Sequence, residues 1–181
     1  MEPKRLGKYA CVETEKRYLL RRPPEALSNE SVWDIVDRYW PGTRLRLRSM
    51  YSPQGDEWIY KLTQKYHAAD QAAAETTITN LYLTEAEYVR LKPLEALVIV
   101  KRRHRYVRRG ETYSIDVFQR RHAGLILAER EFGDLADAEQ SRTPDFAALD
   151  VTDDAFFQGM SLAEMSDEDF KEGLATRLRA A

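Results

Sequence analysis

The stretch Arg44-Leu45-Arg46-Leu47-Arg48 alternates a guanidinium with an apolar side chain at every step, and a period of two is the mark of a β-strand. One face of that strand carries the three arginines and the other carries the two leucines. The same period runs outward in both directions. Glu13, Glu15 and Arg17 share a face, as do Lys61, Thr63 and Lys65, then Lys101, Arg103 and Arg105, and then Glu129 and Glu131, with Asp116 mid-strand between Tyr113 and Phe118. Alternating, β-branched or aromatic segments cover residues 9–20, 32–40, 43–51, 57–66, 74–83, 97–107, 111–121 and 125–132, which predicts about eight strands. Pro41-Gly42, Ser52-Pro-Gln-Gly55 and Arg109-Gly110 supply turns between neighbours, and such short connections make hairpins antiparallel.

A single charged strand face is ordinarily solvated. Five or six such rows call for a common interior. If eight strands close into one barrel with these rows inside, the lumen is lined by basic groups beside a set of carboxylates. Val12, Tyr18, Leu45, Leu47, Ile126 and Ala128 then face outward, where helices would cover them. Two helices are signalled. Thr84 can cap a short one, with Glu87 three residues on and Pro93 closing it. Ser166 can cap a longer one in which Phe170, Leu174 and Leu178 recur every four residues toward Arg177 and Arg179. The expected architecture is mainly β (α+β): an eight-stranded antiparallel tunnel over about residues 9–132 and a helical segment over about 134–181. At 181 residues the chain fits one domain.

Composition narrows the function. The apolar share of 43% excludes a disordered chain. Twenty-eight Lys and Arg against 30 Asp and Glu give a net charge of -2, which argues against a protein that coats nucleic acid. The signs are nevertheless segregated. Basic residues dominate from Arg38 to Arg109, whereas Asp134 to Glu172 is acidic and includes Asp153, Asp154, Asp167, Glu168 and Asp169, read as a solvated helical face. No apolar run approaches the roughly 18 residues of a membrane span, and residues 1–8 lack the apolar stretch of a signal peptide. The expectation is a cytoplasmic protein with no membrane partner. Cys11 is the single cysteine, so it reads as a core thiol in a reducing compartment.

A lumen crowded with Arg and Lys repels itself unless an anion with many oxygens enters it, and phosphate is the natural acceptor of their charge-assisted hydrogen bonds. Carboxylate clusters without His or Cys are hard oxygen ligands suited to Mg²⁺ or Mn²⁺ rather than Zn²⁺. His67, His104 and His122 have no ligand spacing, and no GxxxxGK[ST] loop is present. The combination points to a di- or triphosphate chain with a divalent metal.

Glu13-Thr-Glu15-Lys-Arg17 resembles the ExExK signature of the CYTH proteins, also called triphosphate tunnel metalloenzymes. Arg44-Leu-Arg-Leu-Arg48 resembles their arginine strand and Lys61-Leu-Thr-Gln-Lys65 their lysine strand. Arg103-His-Arg105-Tyr106 is similar to KxRY, Asp116-Val-Phe118 to the DVF strand and Glu129-Arg-Glu131 to the ExE strand. Val151-Thr-Asp-Asp154 and Ser161-Leu-Ala163 resemble the closing segment. The resemblance spans about residues 9–165. It implies a tunnel that binds a triphosphate or nucleoside triphosphate and uses Mg²⁺ or Mn²⁺. Glu13, Glu15, Asp116, Glu129 and Glu131 would be metal or metal-water ligands, with Glu75 a further candidate. Arg44, Arg46, Arg48, Lys61, Lys65, Arg103 and Arg105 would hold phosphate oxygens, with Arg17 near the reacting group.

The chain departs from the family pattern at Arg17, where the family has lysine, and an ammonium and a guanidinium are not interchangeable. Ala73, Glu75 and Thr77 stand where the family carries RxExE. The basic pair on the sixth segment can be Lys101 with Arg103 or Arg103 with Arg105. The absence of an evident base-binding insertion favours inorganic triphosphate, cleaved to diphosphate and phosphate. Thiamine triphosphate hydrolysis, cyclisation of ATP as in class IV adenylate cyclases, and a non-catalytic polyphosphate or nucleotide sensor remain open, as does the choice between monomer and homodimer.

Overall fold

The computed structural model describes residues 8–25, 27, 31–67 and 71–181; the expectation about a leader falls mostly on residues 1–7, outside that set. Among the described residues nine strands and four helices follow one another: β1 Cys11–Leu19, β2 Val32–Tyr39, β3 Leu45–Ser52, β4 Glu57–Tyr66, β5 Glu75–Leu83, α1 Glu85–Leu91, β6 Leu97–Arg108, β7 Glu111–Phe118, β8 Ile126–Phe132, α2 Leu135–Gln140, β9 Leu149–Asp150, α3 Gly159–Glu164 and α4 Asp167–Ala180. The first eight strands form a ring in the order β5-β4-β3-β2-β6-β7-β8-β1, and β1 returns to β5. Every pairing is antiparallel. Strand β1 is the closure. Its residues 11–14 pair with β5, its residues 14–19 with β8, and Tyr18 and Leu19 with β9.

Local chemistry explains the turns and caps. Arg109 and Gly110 both have positive φ, 53° and 82°, the pair of left-handed residues that a type I′ hairpin requires. In the turn after β3 the left-handed residue is Asp56, at φ 47°, one position beyond the glycine of the sequence pattern. Thr84 and Glu87 form the full capping box of α1, and Ser166 caps α4 through the Asp169 amide.

Three expectations are corrected. Strand β7 stops at Phe118, because Arg120 takes a φ of 56° and begins a 3-10 turn, Arg120–His122. The segment after residue 134 is not uniformly helical: β9 joins the sheet beside β1, pairing Asp150 with Tyr18 and Leu149 with Leu19 on the edge that β5 leaves free beyond Thr14. Cys11 is exposed rather than buried, because it opens β1 at the rim, where its thiol lies 3.7 Å from the Ile78 carbonyl.

Two apolar clusters hold the ring. Leu19, Ile99, Phe118, Leu125 and Leu127 pack with Val151, Phe157, Leu162, Phe170 and Leu174, so one end of the barrel is plugged by α3, α4 and the turn before them. Outside, Tyr18, Tyr106, Tyr113, Ile115, Ile126 and Ala128 form a second cluster. A loop rather than a helix covers them: Phe146 meets Tyr106 and Tyr113 edge-on at 5.2 and 5.0 Å. Trp58 and Leu81 stay exposed on the far wall. No helix among the described residues is long and apolar enough to cross a membrane.

His122 sits inside the first cluster, fully buried, with Nε2 2.9 Å from the Leu162 carbonyl and Nδ1 without a partner among the described residues. That geometry requires the neutral ring, and burial lowers its pKa from 6.5. Between those values the unfolded chain binds a proton that the folded chain refuses. The stability contributed by neutral His122 is therefore complete above about pH 6.5 and is lost as pH falls toward the folded value. The urea midpoint should drop between about pH 7.5 and 5.5, and His122→Gln should shrink that drop; an unchanged pH dependence in the variant would contradict the assignment.

Candidate functional site

The inner rows of the barrel meet around a cavity of about 680 Å³. Its wall carries Arg17, Arg44, Arg46, Arg48, Lys61, Lys65, Lys101 and Arg103, eight cations, against the five carboxylates of Glu13, Glu15, Asp37, Glu129 and Glu131. In the ring, β8 and β1 stand four places from β3 and β2, so the glutamate rows face the arginine row across the lumen. The apolar end formed by Ile99, Phe118 and Leu127 makes the cavity blind on the side of the plug. Gly159 allows this closure. A Cβ there would stand 2.1 Å from the Tyr39 hydroxyl.

Ion pairs organise the wall. Arg17 donates from Nη2 to Glu15 at 2.9 Å, from Nε to Glu129 at 3.2 Å and from Nη1 to the Phe157 carbonyl at 3.2 Å. One guanidinium thereby ties β1, β8 and the plug together, which a single ammonium could not span as a rigid fork. Lys65 donates to Glu15 at 3.0 Å. Arg103 grips Asp116 through Nε and Nη2 at 2.6 and 2.7 Å and also reaches Glu129, while Lys101 completes the Asp116 carboxylate. Burial opposes ionisation of Asp116 and Glu129. The surrounding cations together outweigh it, Arg103 foremost with Lys101 for Asp116 and with Arg17 and Lys101 for Glu129, and hold Asp116 below and Glu129 well below the usual carboxylate range.

Other groups are less committed. Burial, then Glu15 and Glu131, pushes the Glu13 carboxyl up, against Lys65 and Arg46. Glu131 lies directly across from Glu15 between β1 and β8, and a like-charge pair in that position is unfavourable unless a cation enters. Arg46 donates to Thr63 at 3.3 Å, but its buried Nε has no partner among the described residues. Arg44 lies 4.4 Å over Tyr66 and Lys61 4.8 Å over Tyr82, near the open end.

The placement of the sequence candidates is uneven. Glu13, Glu15, Arg17, Arg44, Arg46, Arg48, Lys61, Lys65, Arg103, Glu129 and Glu131 share the cavity. Asp116 is in phase with them but fully buried beneath Lys101 and Arg103. Arg105 is in phase too, yet it lies at the exposed end of β6 and bonds Thr112; the basic pair on this strand is Lys101 with Arg103. Glu75 is out of phase. It pairs with Thr14 and accepts from the Ala72 amide, while Thr76, Ile78 and Asn80 form the inner row of β5. The inner row of β5 is one residue out of phase with Glu75 and Thr77. Asp37 was missed, although the sequence held its signal: a single acid between Ile35 and Tyr39 on one strand face.

With this geometry in view, a crystal structure of the inorganic triphosphatase NE1496 matches at a TM-score of 0.56 and 22% identity, over 85% of this chain and 95% of that one. A second NE1496 crystal structure gives the same score and identity over 84% and 98%. The chain shares that fold. No family model matches it, and no curated protein does.

The donor set can be tested against a divalent metal. Among the described residues no three His, Cys, Asp or Glu side chains converge as a ready cage. Glu13 and Glu131, however, hold no ion pair there, and two hard carboxylates plus phosphate oxygens and water make an ordinary Mg²⁺ environment. The residues fit a divalent ion that takes only part of its oxygen shell from the protein. The paired carboxylates behave differently from these two. Arg103→Met would strand Asp116 and Glu129 as under-compensated buried charges and should cost about 3–5 kcal/mol in denaturant unfolding. Glu131→Gln should cost less than about 0.5 kcal/mol. Equal losses in the two variants would contradict this division.

Proposed function

We propose that this chain is a CYTH-type hydrolase that cleaves inorganic triphosphate to diphosphate and phosphate with Mg²⁺ or Mn²⁺. The observation that carries the reading is the excess of cations over carboxylates around one blind cavity, eight on its wall against five there and Asp116 buried behind Lys101 and Arg103, in a chain whose net charge is -2. A polyanion entering the cavity would supply the missing negative charge and relieve the repulsion among these groups.

Arg44, Arg46 and Lys61 are the donors least committed to the protein's own carboxylates and would take the phosphate oxygens, with Lys65, which also donates to Glu15, beside them. Arg48 and Arg103 contribute their remaining N–H groups from fixed forks. Glu13 and Glu131 would hold the metal. When bound, Mg²⁺ or Mn²⁺ would neutralise charge on the phosphate oxygens and lower the pKa of a bound water. Arg17 sets the distance between Glu15 and Glu129 and anchors the plug, so its role is alignment of the wall rather than attack. Phosphoryl transfer needs little more than this, since positioning and charge stabilisation supply most of the acceleration.

The test is a product assay on the purified protein with tripolyphosphate, ATP and thiamine triphosphate, each with Mg²⁺ or Mn²⁺. Tripolyphosphate should be the fastest substrate, yielding diphosphate and phosphate. Glu13→Gln with Glu131→Gln should lower turnover about 100-fold without lowering the metal-free melting temperature. Arg46→Ala should raise KM about tenfold. One observation favours a second reading, a polyphosphate-binding sensor: Glu15 and Glu129 are each already held by two cations. Tripolyphosphate that raises the melting temperature without being cleaved would select the sensor. An unchanged melting curve would remove both readings.

A further inference from the structure

Asp37 occupies the centre of the arginine wall. It lies on β2 directly across from Arg48 of β3 on one side and Ile99 of β6 on the other, and it is 1% exposed. Both of its oxygens are taken by one guanidinium, with Arg48 Nε at 2.6 Å and Nη2 at 2.7 Å. The Nε of Arg46 stands 3.7 Å from the same Oδ1, too far for a hydrogen bond, and has no other partner among the described residues. One carboxylate thus sits between two arginines and satisfies only the first.

The edge of Arg48 that Asp37 occupies is the Nε/Nη2 edge, the one that matches a carboxylate or a phosphate in two parallel hydrogen bonds. A phosphate entering the cavity and Asp37 are rivals for it. Resting on the triphosphate reading above, we propose that Asp37 is a resident counter-anion that holds the empty tunnel together and, by competing for Arg48, limits how tightly the tunnel holds a polyphosphate.

Two physical costs set this balance. Without Asp37 the empty barrel would bury Arg48 uncompensated, close to Arg46 and Arg103, an arrangement that strongly destabilises a fold. With Asp37 present, an incoming anion finds one fork already filled and meets a fixed negative charge behind it. That charge does not titrate away: burial pushes the Asp37 carboxyl up, but Arg48 and Arg46 outweigh burial and hold it well below the usual range. The compromise favours release. A hydrolase must let diphosphate go, and a wall of fully free arginines would retain it.

Asp37→Asn keeps the shape and deletes the charge, and Asp37→Ser also leaves room for a water between the guanidinia. Melting curves and calorimetric titration with tripolyphosphate and Mg²⁺ read the effect. Both variants should melt several degrees lower than the parent without anion, show a larger rise with tripolyphosphate, and bind it at least about tenfold more tightly. Asp37→Glu, which retains the charge, should not gain affinity. If the parent binds tripolyphosphate but the neutral variants fold and bind it equally or more weakly, the proposal fails and the triphosphate reading stands. If both neutral variants stay unfolded even with tripolyphosphate, Asp37 serves the fold alone and the proposal also fails. Should the parent itself not bind, the triphosphate reading falls and takes this inference with it.

Discussion

Arg17 reaches Glu15, Glu129 and the Phe157 carbonyl from the strand that closes the ring, and the rest of the site is built on that three-way attachment. Strand β1 has to serve β8 along most of its length and divides its other edge between β5 and β9. The Arg17 amide bridges the change of partner by donating to the Thr152 hydroxyl at 3.1 Å, and the Val151 amide returns to the Arg17 carbonyl at 2.9 Å. Backbone and side chain of one residue therefore fix both the seam of the barrel and the plug at its end. A guanidinium can do this because its donors diverge in a plane.

Closure also dictates the electrostatics. Turning a sheet into a ring buries every second residue of each strand, so charges on those rows can be neutralised only by one another or by something that enters. The chain neutralises most of them internally. Asp116 binds Lys101 and Arg103, Asp37 binds Arg48, and Glu15 and Glu129 share Arg17, Lys65 and Arg103. What remains is unevenly spread: carboxylates with no ion pair among the described residues at Glu13 and Glu131, and weakly engaged cations at Arg44, Arg46 and Lys61. A polyanion accompanied by a cation is the complement of that residue of charge.

The ring was legible in the sequence because its rows are charged, and so many charged rows of period two can hardly be accommodated except around a shared interior. Arg44 to Arg48, Lys61 to Lys65 and Glu129 to Glu131 led directly to the lumen. The hairpin turns at Pro41-Gly42 and Arg109-Gly110 were equally readable. Rows of mixed character were not. On β5 the inner positions are Thr76, Ile78 and Asn80, and nothing in their polarity separates them from Glu75 and Thr77 on the outer side, so phase was assigned to the charge and fell on the wrong face. Arg105 continues its row correctly but runs past the end of the cavity, and strand length is not encoded in alternation. Strand β9 is two residues long, shorter than any pattern can register, and its existence follows from a free edge on β1 that only the assembled ring provides.

The uncharged inner row of β5 has a consequence for the site. It leaves the glutamates of β1 and β8 as the cavity's acidic groups together with Asp37, and of these Glu15 and Glu129 are bound to cations that also shape the wall. A carboxylate shared between two cations resists capture by a metal, since the metal must displace both donors and leave them unpaired in a buried setting. Glu13 carries no such restraint, and its raised pKa reflects burial followed by repulsion from Glu15 and Glu131; a cation arriving beside it would relieve that repulsion. Under the triphosphate reading, charge then enters the tunnel as a pair, polyphosphate toward Arg46 and the metal toward Glu13. Each half screens the repulsion that the other would meet alone, and the ion pairs that Arg17 and Arg103 make with Glu15, Asp116 and Glu129 stay in place.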